Sequence, residues 1–274
     1  MLKDITIGQY FPGNSIIHRL DPRVKIILTI IFITVLFMAN TVISYLVMLF
    51  FVIFIISISN IPFKLISKSV QPLFFIVLFT TLINIFYIQG ETLLSFKFIV
   101  WTLIISKQGV FFALFMVVRI VLLIIGTSLL TYTTSPILLT DGIENLLSPL
   151  KLLKVPVHEF ALMMTIALRF IPTLIEETEK IINAQKARGA DFESGGLIKR
   201  AKALIPILVP LFVSAFRRAE DLAVAMECRC YRGGEGRTRL KQYFMIFIDY
   251  VAIVVLVIIF ALILVLNNFK LFGF

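Results

Sequence analysis

The chain has 274 residues, 59% of them hydrophobic and only 15% charged, with 27 phenylalanines, a mean hydropathy of +1.02 and a formal charge of +10. A soluble domain is nearer half apolar and a quarter charged, so the composition excludes a soluble fold and leaves an integral membrane protein. A positive balance suits either nucleic acid or the anionic inner face of a membrane; the spread of the charges between apolar stretches points to the lipid bilayer and to no nucleic acid.

In chain order, residues 1 to 23 carry Lys3, Asp4, His18, Arg19, Asp21 and Arg23 and no apolar core, so no cleavable signal peptide is expected. Apolar stretches follow at about Val24–Ala39, Val42–Ile58, Pro72–Ile88, Val110–Leu130 and Tyr243–Leu266. A membrane helix needs about 20 residues, which makes five spans, the first short and joined to the second by a slight turn at Asn40-Thr41. The fold class is therefore all-α, and the chain divides at residues 1–131, 132–242 and 243–274.

Excess Lys and Arg mark the cytoplasmic side. They gather at Lys3, Arg19, Arg23 and Lys25, at Lys64 and Lys68, and in residues 132–242, which hold sixteen. An odd number of spans then places the N-terminus and residues 132–242 in the cytoplasm of a cell membrane and the C-terminus outside.

Residues 132–242 are too apolar for an ordinary loop. One run, His158–Ile175, is broken by Glu159, Arg169 and Pro172; the other, Leu204–Phe216, contains Pro206 and Pro210. Inserting both would bury Arg169 at a cost of roughly 3 kcal/mol, so they are expected to be long amphipathic helices. Leu204, Leu208, Leu211, Ala215, Leu222 and Met226 would form the apolar face of the second, opposite Arg217, Arg218, Glu220 and Asp221. The first should start near Pro156 and end at Ala187-Arg188-Gly189, with Gly189 as a left-handed cap. The second should run from about Ile198 to Cys228-Arg229-Cys230, with Gly233-Gly234 beyond. Each presents an Arg in its last turn, suited to a bidentate carboxylate contact or merely to the helix macrodipole.

Other polar residues read as structural. Arg119, mid-span, should pair with carbonyls or hydroxyls inside the bundle, and Asp249 should snorkel or pair with a nearby cation. Glu176, Glu177 and Glu179 lack a His companion and read as a solvated face pairing with Lys180 and other bases. Asp21-Pro22-Arg23 reads as a turn with Asp21 capping the first span. Cys228 and Cys230 lie far in sequence from His18 and His158, so neither a disulfide framework nor a metal site is expected. No segment has G-x-x-x-x-G-K-[ST]; Gly195-Gly196 and Gly233-Gly234-Glu235-Gly236 lack the continuation. No catalytic residue or cofactor is assigned, and any ATP must be bound by another subunit.

The chain resembles the transmembrane coupling (T) component of energy-coupling factor transporters, ABC-type importers of vitamins and of cobalt and nickel ions. The resemblance rests on His18-Arg19-Leu20-Asp21-Pro22-Arg23-Val24-Lys25, on Ala187-Arg188-Gly189, and on the second Arg-centred triplet followed by Tyr231-Arg232-Gly233-Gly234. It implies that Arg188 and Arg229 each dock into one of two ABC-type ATPase subunits, and that a membrane-embedded substrate-binding (S) subunit is the third partner. The second triplet departs from the usual Ala-Arg-Gly in having Cys228 and Cys230 as flanks. The rival readings are a membrane-bound lipid-modifying enzyme, for which Asp141-Gly142 lacks the repeated Asp of a metal site, and a permease that forms the substrate path itself.

Overall fold

The computed structural model describes residues 10–87, 92–97, 102–192, 196–233 and 243–268. Lys3, Asp4, Lys270, Gly195, Gly234, Glu235 and Gly236 lie outside them. The chain forms two compact units, one of residues 9–142 with 243–274, the other centred on residues 143–242.

In the first unit the helices are α1 (Ile16–Arg19), α2 (Pro22–Met38), α3 (Val42–Ser59), α4 (Phe63–Val70), α5 (Phe74–Tyr87), α6 (Lys107–Thr133), the first part of α7 (Pro136–Leu146) and α10 (Phe247–Asn268). The second unit holds α8 (Val157–Ala187) and α9 (Leu197–Cys228). The protein is helical, as its composition requires, with one addition. Strands β1 (Thr92–Lys97) and β2 (Thr102–Ser106) pair antiparallel between α5 and α6, with Phe96 opposite Leu103. Leu, Ile, Phe and Thr over this stretch suit strands as well as a span, and apolar content alone does not separate the two.

Among the described residues five helices are long and apolar enough to cross a membrane: α3, Phe63–Tyr87, α6, α8 and α10. Four match expected spans. The third begins earlier than Pro72, because α4 continues into α5 through a 3-10 turn at Gln71–Leu73. Proline lacks an N–H and disfavours helix at the residue before it, so Pro72 tightens this helix without ending it. Lys64 and Lys68 thus sit on α4 and not in a loop. The fifth candidate is α8, despite its internal Pro172. Conversely α2, the expected first span, has 17 residues, or about 26 Å against a hydrocarbon core of about 30 Å.

Helix α6 packs against α2, α3, α4 and α5, while α10 packs against α2 and α3. The core comprises Phe32, Val35 and Leu36 of α2, Tyr45, Met48 and Val52 of α3, Leu122 of α6, and Leu256 and Ile263 of α10. Much of the rest is exposed apolar surface, such as Phe75 at 78% on α5 and Phe50 at 70% on α3. Without lipid such a surface would drive aggregation. At the α2–α6 crossing, a Cβ on Gly126 would stand 2.3 Å from the Phe32 ring.

Helix ends in this unit are closed by buried and half-buried side chains. Asp21 caps α2 by accepting from the Arg23 N–H at 2.8 Å. Its own N–H donates to Asp249 at 2.9 Å, and Asp249 also accepts from the Ile246 N–H at 2.8 Å. Asp249 lies in the first turn of α10, which begins at Phe247 and not at Tyr243, so it caps helices and does not snorkel. Lys25 donates to the carbonyls of His18 (3.2 Å) and Thr133 (2.9 Å). At the other end of α2, Arg119 donates to Tyr45 Oη at 2.8 Å and to the Ala39 carbonyl at 3.2 Å, as a structural Arg should. Asn267 donates to the Met38 carbonyl at 2.6 Å. The short turn at Asn40-Thr41 is therefore held from two other helices.

Replacing Gly126 by Ala should lower stability, because overpacking costs about 1–3 kcal/mol and outweighs the gain of about 1 kcal/mol that Ala has over Gly in a helix. Unfolding in mixed micelles measures this, and a Phe32→Leu change should restore part of the loss.

Candidate functional site: the ends of the paired helices

Helices α8 and α9 are 31 and 32 residues long, each about 47 Å at about 1.5 Å per residue. They lie antiparallel: Glu177 of α8 meets Ser214 and Arg218 of α9, and Gln185 Nε2 donates to the Pro206 carbonyl at 3.5 Å. Arg218 pairs with Glu177 at 2.7 Å, and the Ser214 hydroxyl donates to the other oxygen of the same carboxylate. Two charge-assisted bonds on one part-buried carboxylate are stronger than neutral ones and fix the crossing point.

This corrects two expectations. Glu177 belongs to an inter-helix tie and not to a solvated face, and Arg218 lies on the packed side of α9. The covered stripe of α9 is buried Ile207 with half-buried Ala203, Leu211, Ser214, Ala215, Arg218, Leu222 and Met226; Leu211, Ala215, Leu222 and Met226 belong to the expected apolar face, whereas Leu204 and Leu208 are 49% and 46% exposed. Helical spacing locates an apolar stripe to within a residue or so, and the choice of face was made by the polar tie between the helices.

Both helices end as their sequences require. For α8, Arg188 is the last residue before Gly189, whose φ is +86°; the Gly189 N–H donates to the Lys186 carbonyl and the Ala190 N–H to the Gln185 carbonyl, both at 3.0 Å. For α9, Arg229 precedes Cys230, with φ +56°; the Cys230 N–H donates to Glu227 at 2.8 Å and the Tyr231 N–H to Met226 at 3.0 Å. These are two copies of one Schellman closure. In both, the backbone satisfies its own terminal carbonyls, so no side chain is needed for capping.

The consequence is geometric. Arg188 and Arg229 are exposed, and among the described residues no side chain pairs with either guanidinium. Ala187, Gly189, Cys228 and Cys230 around them are exposed too. Since the helices are antiparallel, the two tips lie at opposite ends of the pair. Arg229 stands 23 residues beyond Pro206, or about 35 Å along α9.

The other motif belongs to the first unit. Asp21, Pro22 and Lys25 are buried in the first unit, where Asp21 and Lys25 hold backbone groups, and Arg23 stands 4.0 Å from Asp21. Glu144 of α7 and His158 of α8 pair at 3.0 Å. Tyr243 lies 3.5 Å from Asp141, and burial together with that carboxylate pushes its phenol above the usual value. Among the described residues no group of three or more His, Cys, Asp or Glu is placed to hold a metal ion.

Helices long and apolar enough to span a membrane, with a tied pair of long helices ending in two exposed Arg residues, define a multi-pass membrane protein. A family described as cobalt transport protein matches residues 13–240. Relatives named energy-coupling factor transporter transmembrane protein include one from Ruminiclostridium cellulolyticum, 59% identical over 88% of this chain and 89% of its own length. One from Clostridium kluyveri is 56% identical over 92% and 93%, and one from Bacillus subtilis 48% identical over 97% and 100%. The chain belongs to the family of transmembrane (T) components of energy-coupling factor transporters.

Cys230 occupies a left-handed position where α8 has glycine, and a non-glycine residue there costs about 1–2 kcal/mol. Cys230→Gly should slow hydrogen exchange of the Tyr231 amide about 2- to 5-fold, a gain of about 0.5–1 kcal/mol after the greater freedom of glycine in the unfolded chain is deducted. Gly189→Ala should speed exchange at Ala190 by a similar factor.

Proposed function

We propose that this chain is the energy-coupling subunit of an ATP-driven importer, in which Arg188 and Arg229 each dock into one of two cytoplasmic ABC-type ATPases. Helices α8 and α9 carry the motion of the ATPases to a membrane-embedded substrate-binding subunit, which takes up vitamins or transition-metal ions. The observation that carries this reading is the pair of matching helix ends, each with an exposed guanidinium that its own backbone closure leaves without a structural duty.

The mechanism follows from stiffness. A displacement at either tip is carried along a continuous helix to the Glu177–Arg218 tie, so neither helix moves alone at that point. As two ATPases close on ATP, tips at opposite ends of the pair are drawn relative to each other and the crossing angle changes. A subunit resting on the pair then tilts. The charge distribution supports an orientation with the N-terminus and residues 132–242 cytoplasmic, the C-terminus external, and α8 and α9 along the inner membrane face. Hydrolysis belongs to the partners; this chain supplies no catalytic group.

Arg188→Glu and Arg229→Glu should each weaken ATPase co-purification about 30-fold or more, corresponding to about 2 kcal/mol, the lower end for truncating a buried hydrogen-bonded charge pair at an interface. The double variant should insert in the membrane yet abolish uptake. Normal ATP-dependent uptake by the double variant would refute the docking role.

A further inference from the structure

Both cysteines of the chain lie at one helix end, on either side of Arg229. Cys228 is the last residue of α9, Arg229 follows it with φ −92°, and Cys230 takes the left-handed conformation at φ +56°. Both are free thiols and both are exposed. The closure of α9 uses the backbone N–H groups of Cys230 and Tyr231, so it leaves both sulfurs unused. Among the described residues neither thiol has a hydrogen-bond partner.

Packing does not account for this placement. A free cysteine is among the most often buried residue types, and a side chain at a left-handed position is less favourable than glycine. The end of α8 carries Ala187 and Gly189 at the same two places and makes the same pattern of hydrogen bonds without sulfur. What the cysteines add is therefore chemical: two accessible nucleophiles, each next to a guanidinium that no described side chain engages. The charge around them favours an anionic reagent, with exposed Arg229 and Arg232 against exposed Glu227.

We propose that Cys228 and Cys230 form a thiol–disulfide exchange site for an anionic low-molecular-weight disulfide of the glutathione type, and that the mixed disulfide closes the Arg229 tip to its partner. The proposal rests on the docking role of Arg229. A cysteine thiolate attacks one sulfur of the reagent. The S–S bond of the reagent breaks, a new S–S bond joins one half to the protein, and the other half leaves as a thiolate that takes up the proton the cysteine lost. The reagent is the oxidant, and excess thiol reverses the step. The bound tripeptide brings carboxylates within reach of Arg229, and a planar guanidinium binds a carboxylate bidentately, so the adduct occupies the donors that docking uses. Arg188 has no cysteine beside it, so the exchange acts on one tip of the two.

The test treats the purified full-length chain in mild detergent with glutathione disulfide, reads the adduct by intact-mass spectrometry and then measures ATPase capture. Cys228→Ala and Cys230→Gly, each with one thiol left, should gain one glutathione apiece, and the double variant none. Capture by either modified variant should fall about 30-fold from its untreated value, the loss expected of Arg229→Glu, and recover on reduction with dithiothreitol. The double variant should capture equally with and without the reagent. No adduct on either single variant, or an adduct that leaves capture unchanged while Arg229→Glu loses it, overturns this proposal and leaves the docking role standing. Unchanged capture by Arg229→Glu as well as by the modified variants removes the docking role, and this proposal with it.

Discussion

A backbone polar group inside a membrane must find its partner within the protein, since lipid offers none. The buried polar residues of the first unit obey that constraint with little else to do. Asp21 and Asp249 receive N–H groups at the starts of α2 and α10. Lys25 receives carbonyls at the ends of α1 and α6, and Arg119 and Asn267 receive those at the end of α2. Asp21 caps locally, through Arg23, but each of the other side chains comes from a different stretch of chain than at least one group it satisfies, so for them capping and assembly are the same event. The cost of breaking one is the cost of an orphaned buried group, not of a surface ion pair.

The second unit solves the same problem differently. At the ends of α8 and α9 the carbonyls are closed by backbone N–H groups alone. A guanidinium standing at that point is then free for intermolecular use. Where a side chain is needed, at the crossing of the two helices, it is Glu177 that takes both Ser214 and Arg218. The pair is thus locked in its middle and open at its tips.

The two tips are not chemically equal. Gly189 relieves the left-handed closure on α8, while Cys230 takes the same conformation on α9 and adds an exposed thiol beside Arg229, with Cys228 on its other side. The identical hydrogen-bond pattern despite the substitution shows that the closure is dictated by the helix end and its packing, with glycine an aid and not a condition.

Composition alone determined that this chain lives in a membrane, because so apolar a chain has too little polar surface to be soluble. The punctuation of Pro156 and Gly189 set the ends of α8, because caps are local chemistry, whereas α9 closes at Cys230, three residues before Gly233. The same holds for Arg188 and Arg229, whose positions follow from their place one residue before a left-handed turn. What the tertiary structure alone decided were pairings between distant residues. Glu177 meets Arg218 across 41 positions, Asp21 meets Asp249 across 228, and Lys25 meets Thr133 across 108. No periodicity encodes such distances, because each partner is selected by how helices pack in space. The face that α9 turns to α8 and the close crossing at Gly126 were settled the same way, by the fit of whole helices and not by any residue read in its own neighbourhood.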